Sequence, residues 1–156
     1  MKSTINVSSQ YLDGIIQELD NSKYFLLNLS TETSRTDLFN FALALGLKEG
    51  VSTSLNSSRA LIRTSNEDVK PYFFVYKSIY YDKVLSLDES KIDDITDIDS
   101  VFDLVEKYAN TGFGVLARIR KEFPEDELFT KWLLNKINEM YNEYGAQYDI
   151  KTIYTE

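Results

Sequence analysis

The stretch Ser34–Gly50, SRTDLFNFALALGLKEG, constrains the fold more than any other. Ser34 or Thr36 can cap a helix, and Asp37 stands in the first turn, where a carboxylate meets the positive end of the helix dipole. Leu38, Phe41, Ala42 and Leu45 recur at i, i+3, i+4 and i+7, which is one helical face, while Phe39, Leu43 and Leu47 fill the other side. A helix apolar nearly all round must be covered nearly all round, so it belongs in the middle of a domain or at an interface. Gly46 weakens such a helix and Gly50 suits its end. No side chain in it is reactive.

Length and charge narrow the function classes. A chain of 156 residues suits one domain with one core. Its 11 Tyr and 9 Phe supply enough apolar surface to argue against disorder. The net charge of −8 repels phosphate backbones unless the cations gather on one face, so direct DNA binding is expected to be weak or absent. The chain has no Cys and no His. That removes thiolate chemistry, the usual general base at neutral pH and the commonest zinc ligand. No window approaches the roughly eighteen apolar residues of a membrane span, and the first residues lack a signal-peptide pattern, so a cytoplasmic location is expected.

Read in order, Thr4–Val7 predicts a short strand, and Ser8 or Ser9 caps a helix carrying Tyr11, Leu12, Ile15, Ile16 and Leu19. Asp20-Asn21-Ser22 ends it. Lys23–Ser30 is a short apolar run that suits strand or helix, and Ser30–Ser34 is turn-like. Val51–Lys70, rich in Ser, Thr and Asn, reads as a loop, with a helical turn at Ser58–Arg63 that puts Arg59 and Arg63 on one face. Pro71 opens an aromatic helix to Val84, with a strand as the competing reading because Tyr, Phe, Val and Ile favour strands. Helices are also expected over 99–111, where Ser100 can cap and Asn110 and Gly112 suit the end, then over 115–123 with Arg118, Arg120 and Lys121 outward, and over 124–144. In the last, Phe129, Leu133, Ile137, Met140 and Tyr144 form a buried stripe. Tyr148–Tyr154 reads as a short strand or a tail. The fold class is therefore mainly α: one compact helical domain over 1–156 with at most short strands near the N-terminus. Its first half, 1–50, has the order of a ribbon-helix-helix unit, and further helices span 71–145.

The candidate chemistry is thin. Between Asp88 and Asp103 seven carboxylates stand against one Lys. Asp93, Asp94, Asp97, Asp99 and Asp103 could hold a hard cation, but an EF-hand loop counted from Asp97 needs Gly sixth and Glu twelfth, where Phe102 and Tyr108 stand. Repelling carboxylates make this a solvated loop that also caps a helix. No nucleophile elbow, P-loop or dinucleotide fingerprint is present, and Gly112-Phe113-Gly114 is too short to cradle a phosphate. The sequence nominates no catalytic, cofactor-binding or metal-ligating residue and no cofactor, and it reads as a non-enzyme. The run from Tyr72 to Tyr81 could stack bases, but only Lys70, Lys77 and Lys83 flank it, so core or protein interface fits better. The interaction candidates are Phe39 and Leu43 on the apolar helix, Tyr72, Tyr76 and Tyr80 in the aromatic run, and the cations Arg59 and Arg63.

Two blocks resemble the DNA phosphorothioation-associated protein 4 family, also called Dnd system-associated protein 4. In Asp37–Gly50, DLFNFALALGLKEG, the residues Phe41, Ala42, Gly46, Lys48 and Gly50 fit the family's early helix. In Phe102–Leu116, FDLVEKYANTGFGVL, the residues Tyr108, Ala109, Asn110 and Gly112 fit its Tyr-Ala-Asn-x-Gly stretch. The resemblance implies an accessory, non-catalytic subunit of a bacterial anti-phage defence system. Its implied partners are proteins of that complex, such as a DNA-handling ATPase or nuclease. The family has no agreed catalytic residues to carry over. A homodimer, a ribbon-helix-helix-type DNA-binding regulator and a phage-encoded acidic inhibitor are the alternatives.

Overall fold

A computed structural model describes residues 1–21, 32–95 and 97–147. Well over half of these residues are helical, and the strands form a two-stranded sheet. Strand β1, Thr4–Ser8, leads into helix α1 over residues 9–21. Helix α2, Glu32–Glu49, follows, then strand β2, Ser58–Arg63. Helix α3 covers residues 70–85 and a 3-10 stretch follows at Glu89–Ile95. Helices α4, Ile98–Glu122, and α5, Asp126–Gln147, complete the described chain. The expected elements at 23–30 and 148–154 lie outside the described residues.

Helix α2 is the buried centre that its composition demands. Leu38, Phe39, Ala42, Leu43 and Leu45 are all buried, and Phe41 and Leu47 pack against the same core. Thr36 is buried inside the helix, which begins earlier, at Glu32. Gly50 ends it in a left-handed conformation, φ 74°, its amide donating back to Gly46 O and Leu47 O.

The main cover of α2 is α4, and the two lie unusually close. A Cβ built on Gly46 would sit 1.7 Å from the Tyr108 carbonyl oxygen, and one on Gly112 would sit 1.7 Å from the Ala42 carbonyl oxygen. Each glycine therefore makes room for the backbone of the opposite helix. This corrects two expectations. Gly46 is a contact point of the core, and Asn110 and Gly112 do not end a helix. One helix runs through them from Ile98 to Glu122, absorbing both segments expected at 99–111 and 115–123. Its N-cap is Asp97, whose carboxylate accepts from the Asp99 amide and the Ser100 hydroxyl.

A third correction concerns Ser58–Arg63, which forms a strand. It pairs antiparallel with β1 in the register Thr4↔Arg63, Ile5↔Ile62, Asn6↔Ala60, Val7↔Arg59 and Ser8↔Ser58. Leu61 is the extra residue of a β-bulge between Ile62 and Ala60. The bulge lets the neighbours Leu61 and Ile62 both bury, which breaks the alternation that marks a strand in sequence.

Polar side chains fasten this sheet to α4. Ser8 begins α1, but its hydroxyl turns inward, donating to Asn110 Oδ1 at 2.6 Å and accepting from the Asn56 amide at 3.0 Å. Asn110 Nδ2 donates to the Thr53 and Ser54 carbonyls. The Asn6 amide and Lys2 Nζ both reach Glu106 Oε1, at 2.8 Å and 2.6 Å, and Lys2 also meets Asp103. Burial pushes the Glu106 carboxyl above its ordinary value, although Lys2 and the Asn6 amide pull it down. Burial works against the Lys2 charge, yet its hydrogen bonds to Glu106 and Asp103 carry its pKa upward.

Candidate protein-binding surface

Helix α3 sorts its aromatics onto two sides. Tyr76 and Tyr80 are buried, and Tyr72, Phe73 and Ile79 pack partly against the core. Tyr76 meets Phe39 edge-on, with centroids 6.2 Å apart, and its hydroxyl donates to Asn40 Oδ1 at 2.7 Å. Burial and neighbouring Tyr72 raise the Tyr76 phenol well above its ordinary pKa against the Asn40 hydrogen bond, so it stays protonated. Tyr72 stacks on Tyr76, and Phe73 meets Phe102 of α4 at 5.2 Å.

The other side of α3 faces out. Phe74 is 79% exposed and Tyr81 is 61% exposed. Seven residues is close to two helical turns, so the two rings share one face. Val75 follows Phe74 and is exposed, and further along the chain Leu87 and Ile92 are also exposed, with Leu87 85% exposed. Lys77 stands between the two rings on that face, and Asp82, Asp88, Glu89 and Asp93 of the following segment are all exposed. Asp88 caps its own turn, accepting from the Ser90 hydroxyl and amide, and both hold its carboxyl below the usual range.

The sequence candidates fall differently. Phe39, Leu43, Tyr76 and Tyr80 are buried in the chain's own core, with no surface left for a partner, and Tyr72 is half-buried. The stripe rule finds apolar residues but does not say which side faces the core, so it named the inner aromatics and missed Phe74 and Tyr81. Arg59 and Arg63 are exposed on β2, and Arg59 pairs with Asp13 of α1 at 2.7 Å. The acidic residues do structural work: Asp97 caps α4, Asp99 accepts from the Lys2 amide, and Asp103 meets Lys2 Nζ. Among the described residues, no group of three acidic side chains is arranged to hold a metal ion. Among the same residues, no helix is long and apolar enough to cross a membrane.

On α5 the buried side is Phe129, Leu133 and, partly, Trp132 and Met140. Ile137, expected in that stripe, is 45% exposed, because it lies about 80° around the helix from Phe129. The Tyr144 side chain lies outside the described residues.

No protein-family model, no curated protein and no solved structure matches the chain.

Proposed function

We propose that this protein is a non-catalytic adaptor that binds another protein through the exposed strip of Phe74, Tyr81 and Leu87. The observation that carries the reading is two large aromatics held outward on one face of α3 while their neighbours anchor the helix inward. Aromatic side chains standing clear of a packed core are enriched in the energetic centres of interfaces. The exposed carboxylates Asp82, Asp88, Glu89 and Asp93 of the same segment fit a partner with a basic border around an apolar pocket. The resemblance to the phosphorothioation-associated family supports an accessory role in anti-phage defence, with a DNA-handling ATPase or nuclease as that partner. The ribbon-helix-helix alternative finds less support. A ribbon reader shares strands between two chains, whereas β1 pairs with β2 of its own chain and its Asn6 amide is taken by Glu106.

The test is co-purification with neighbouring gene products, with light scattering of the chain alone. Phe74→Ala and Tyr81→Ala should each weaken the complex by about 2 kcal/mol or more, roughly thirtyfold, if they sit at its centre. Both variants should keep the helical circular dichroism of the parent. A clean monomer that captures no neighbour defeats the adaptor reading. Sub-micromolar, salt-sensitive binding to duplex DNA would replace it with the regulator reading.

A further inference from the structure

A groove of about 1010 Å³ runs between α1 and the second half of α4. Its α4 wall is Gly114, Ala117, Arg118 and Lys121, spaced as one helical face, and its α1 wall includes Tyr11, Gly14 and Glu18. From Gly114 to Lys121 the wall is about 10 Å long. One end is neutral: the Tyr11 hydroxyl lies over Gly114, where an added Cβ would come within 3.0 Å of it. The other end is charged. There Arg120 is neutralised by Glu18 at 3.2 Å and Asp126 at 2.6 Å, and its guanidinium lies over the Phe129 ring. Arg118 and Lys121 have no ion-pair partner among the described residues, in a chain with 25 carboxylates and 17 cations.

Two features of α1 point to the same groove. Gly14 sits inside a helix, where glycine costs up to about 1 kcal/mol relative to alanine, yet a Cβ there would meet nothing within 4 Å. Packing therefore does not explain it, but a side chain at 14 would enter the groove. The same turns, Leu12–Ile16, are wound as π-helix, a rare form that recurs at functional sites. The helix thus carries a local cost where the groove opens, opposite two cations that make no ion pair among the described residues.

From this juxtaposition we infer that the groove binds a small organic phosphate of nucleotide size. Its phosphate meets Arg118 and Lys121, and its planar or apolar body lies along Tyr11, Gly14 and Ala117. The volume is at the upper end of the roughly 300–1,000 Å³ of small-molecule sites. A charge-assisted hydrogen bond from a guanidinium matches a phosphate better than any neutral ligand. This site uses none of the residues of the proposed protein-binding strip, so the two readings stand or fall separately.

The experiment is an amide chemical-shift titration of the full chain with phenyl phosphate and with AMP, using phenol and inorganic phosphate as controls. Both organic phosphates should shift the amides of Gly14, Gly114, Ala117 and Lys121 together, more than either control at the same concentration. The double variant Arg118→Ala with Lys121→Ala, both exposed positions, should weaken binding at least about tenfold. Gly14→Leu should close the groove and abolish the shifts; if it does not fold, the double variant still decides. No shift at millimolar ligand, shifts scattered over the surface, or shifts that survive in the double variant would overturn the proposal. Inorganic phosphate binding as tightly as AMP would overturn it too, leaving an adventitious ion only.

Discussion

Replacing Gly46 by alanine should destabilise this protein, although the same change in an ordinary helix stabilises it. At a free helical site alanine gains up to about 1 kcal/mol over glycine. Here the new methyl would lie 1.7 Å from the Tyr108 carbonyl oxygen and 2.6 Å from its carbon, both backbone atoms that no rotamer can move. Ordinary contact begins near 3.4 Å, so α2 and α4 must separate by more than about 1.5 Å at this point. That shift loosens Leu38, Phe39 and Leu45 against Val105, Phe113 and Leu116, all buried. Overpacking of this kind typically costs about 1–3 kcal/mol, and here it works against rigid backbone, so the upper part of the range applies. After the propensity gain, a net loss of about 1–2 kcal/mol is expected, or roughly 2–8 °C in melting temperature for a domain of this size. Urea unfolding of Gly46→Ala, Gly112→Ala and the double variant measures it. Because both glycines set one helix spacing, the double loss should be smaller than the sum of the single losses. Gly14→Ala is the control and should be neutral or stabilising, since its Cβ has open space. A Gly46→Ala protein as stable as the parent would refute the close-contact account.

Asn110→Ala removes the partner of the Ser8 hydroxyl and of the Thr53 and Ser54 carbonyls, and should cost about 1–3 kcal/mol by chemical denaturation. Tyr76→Phe keeps the ring packing but strips Asn40 Oδ1 of its donor, so a loss near 1 kcal/mol is expected, again by denaturation. Glu106 gives a pH signature. Between the ordinary value of 4.5 and its raised folded value, the folded chain holds a proton that the unfolded chain has released, so this group's contribution falls as pH rises through that window. Glu106→Gln should flatten that part of the stability–pH curve, and an unchanged slope would remove the group from the account. Lys2 acts at the other limb: its raised pKa contributes stability below 10.5 that is lost as pH climbs through the folded value, and Lys2→Met should abolish that alkaline loss.

Long-period signals in the sequence carried the helices. The apolar girdle of α2, Pro71 at the opening of α3 and the acidic first turn of α5 all correspond to observed elements. Local propensity failed where a distant backbone decides the outcome. Asn110 and Gly112 carry the composition of a helix end, but one clamps Ser8 and a loop while the other admits the backbone of Ala42. Neither partner lies within fifty residues, so no window could reveal it. β2 was hidden for a different reason, since its bulge replaces alternation by an adjacent buried pair. The outward face of α3 was half legible: the aromatic run is plain, but only packing against Phe102 and Asn40 decides which rings turn away.

The fastening of the chain's beginning to α4 has a consequence for synthesis. Lys2, Asn6 and Ser8 find their partners at Asp99, Asp103, Glu106 and Asn110, about one hundred positions later. During translation, at roughly 5–20 residues per second, β1 and the apolar α2 therefore emerge several seconds before the helix that covers them. A nascent chain halted before residue 98 should bind chaperones and be cut readily by protease, and one released after α4 should resist both. Stability here is completed late, by a helix that closes over segments made long before it.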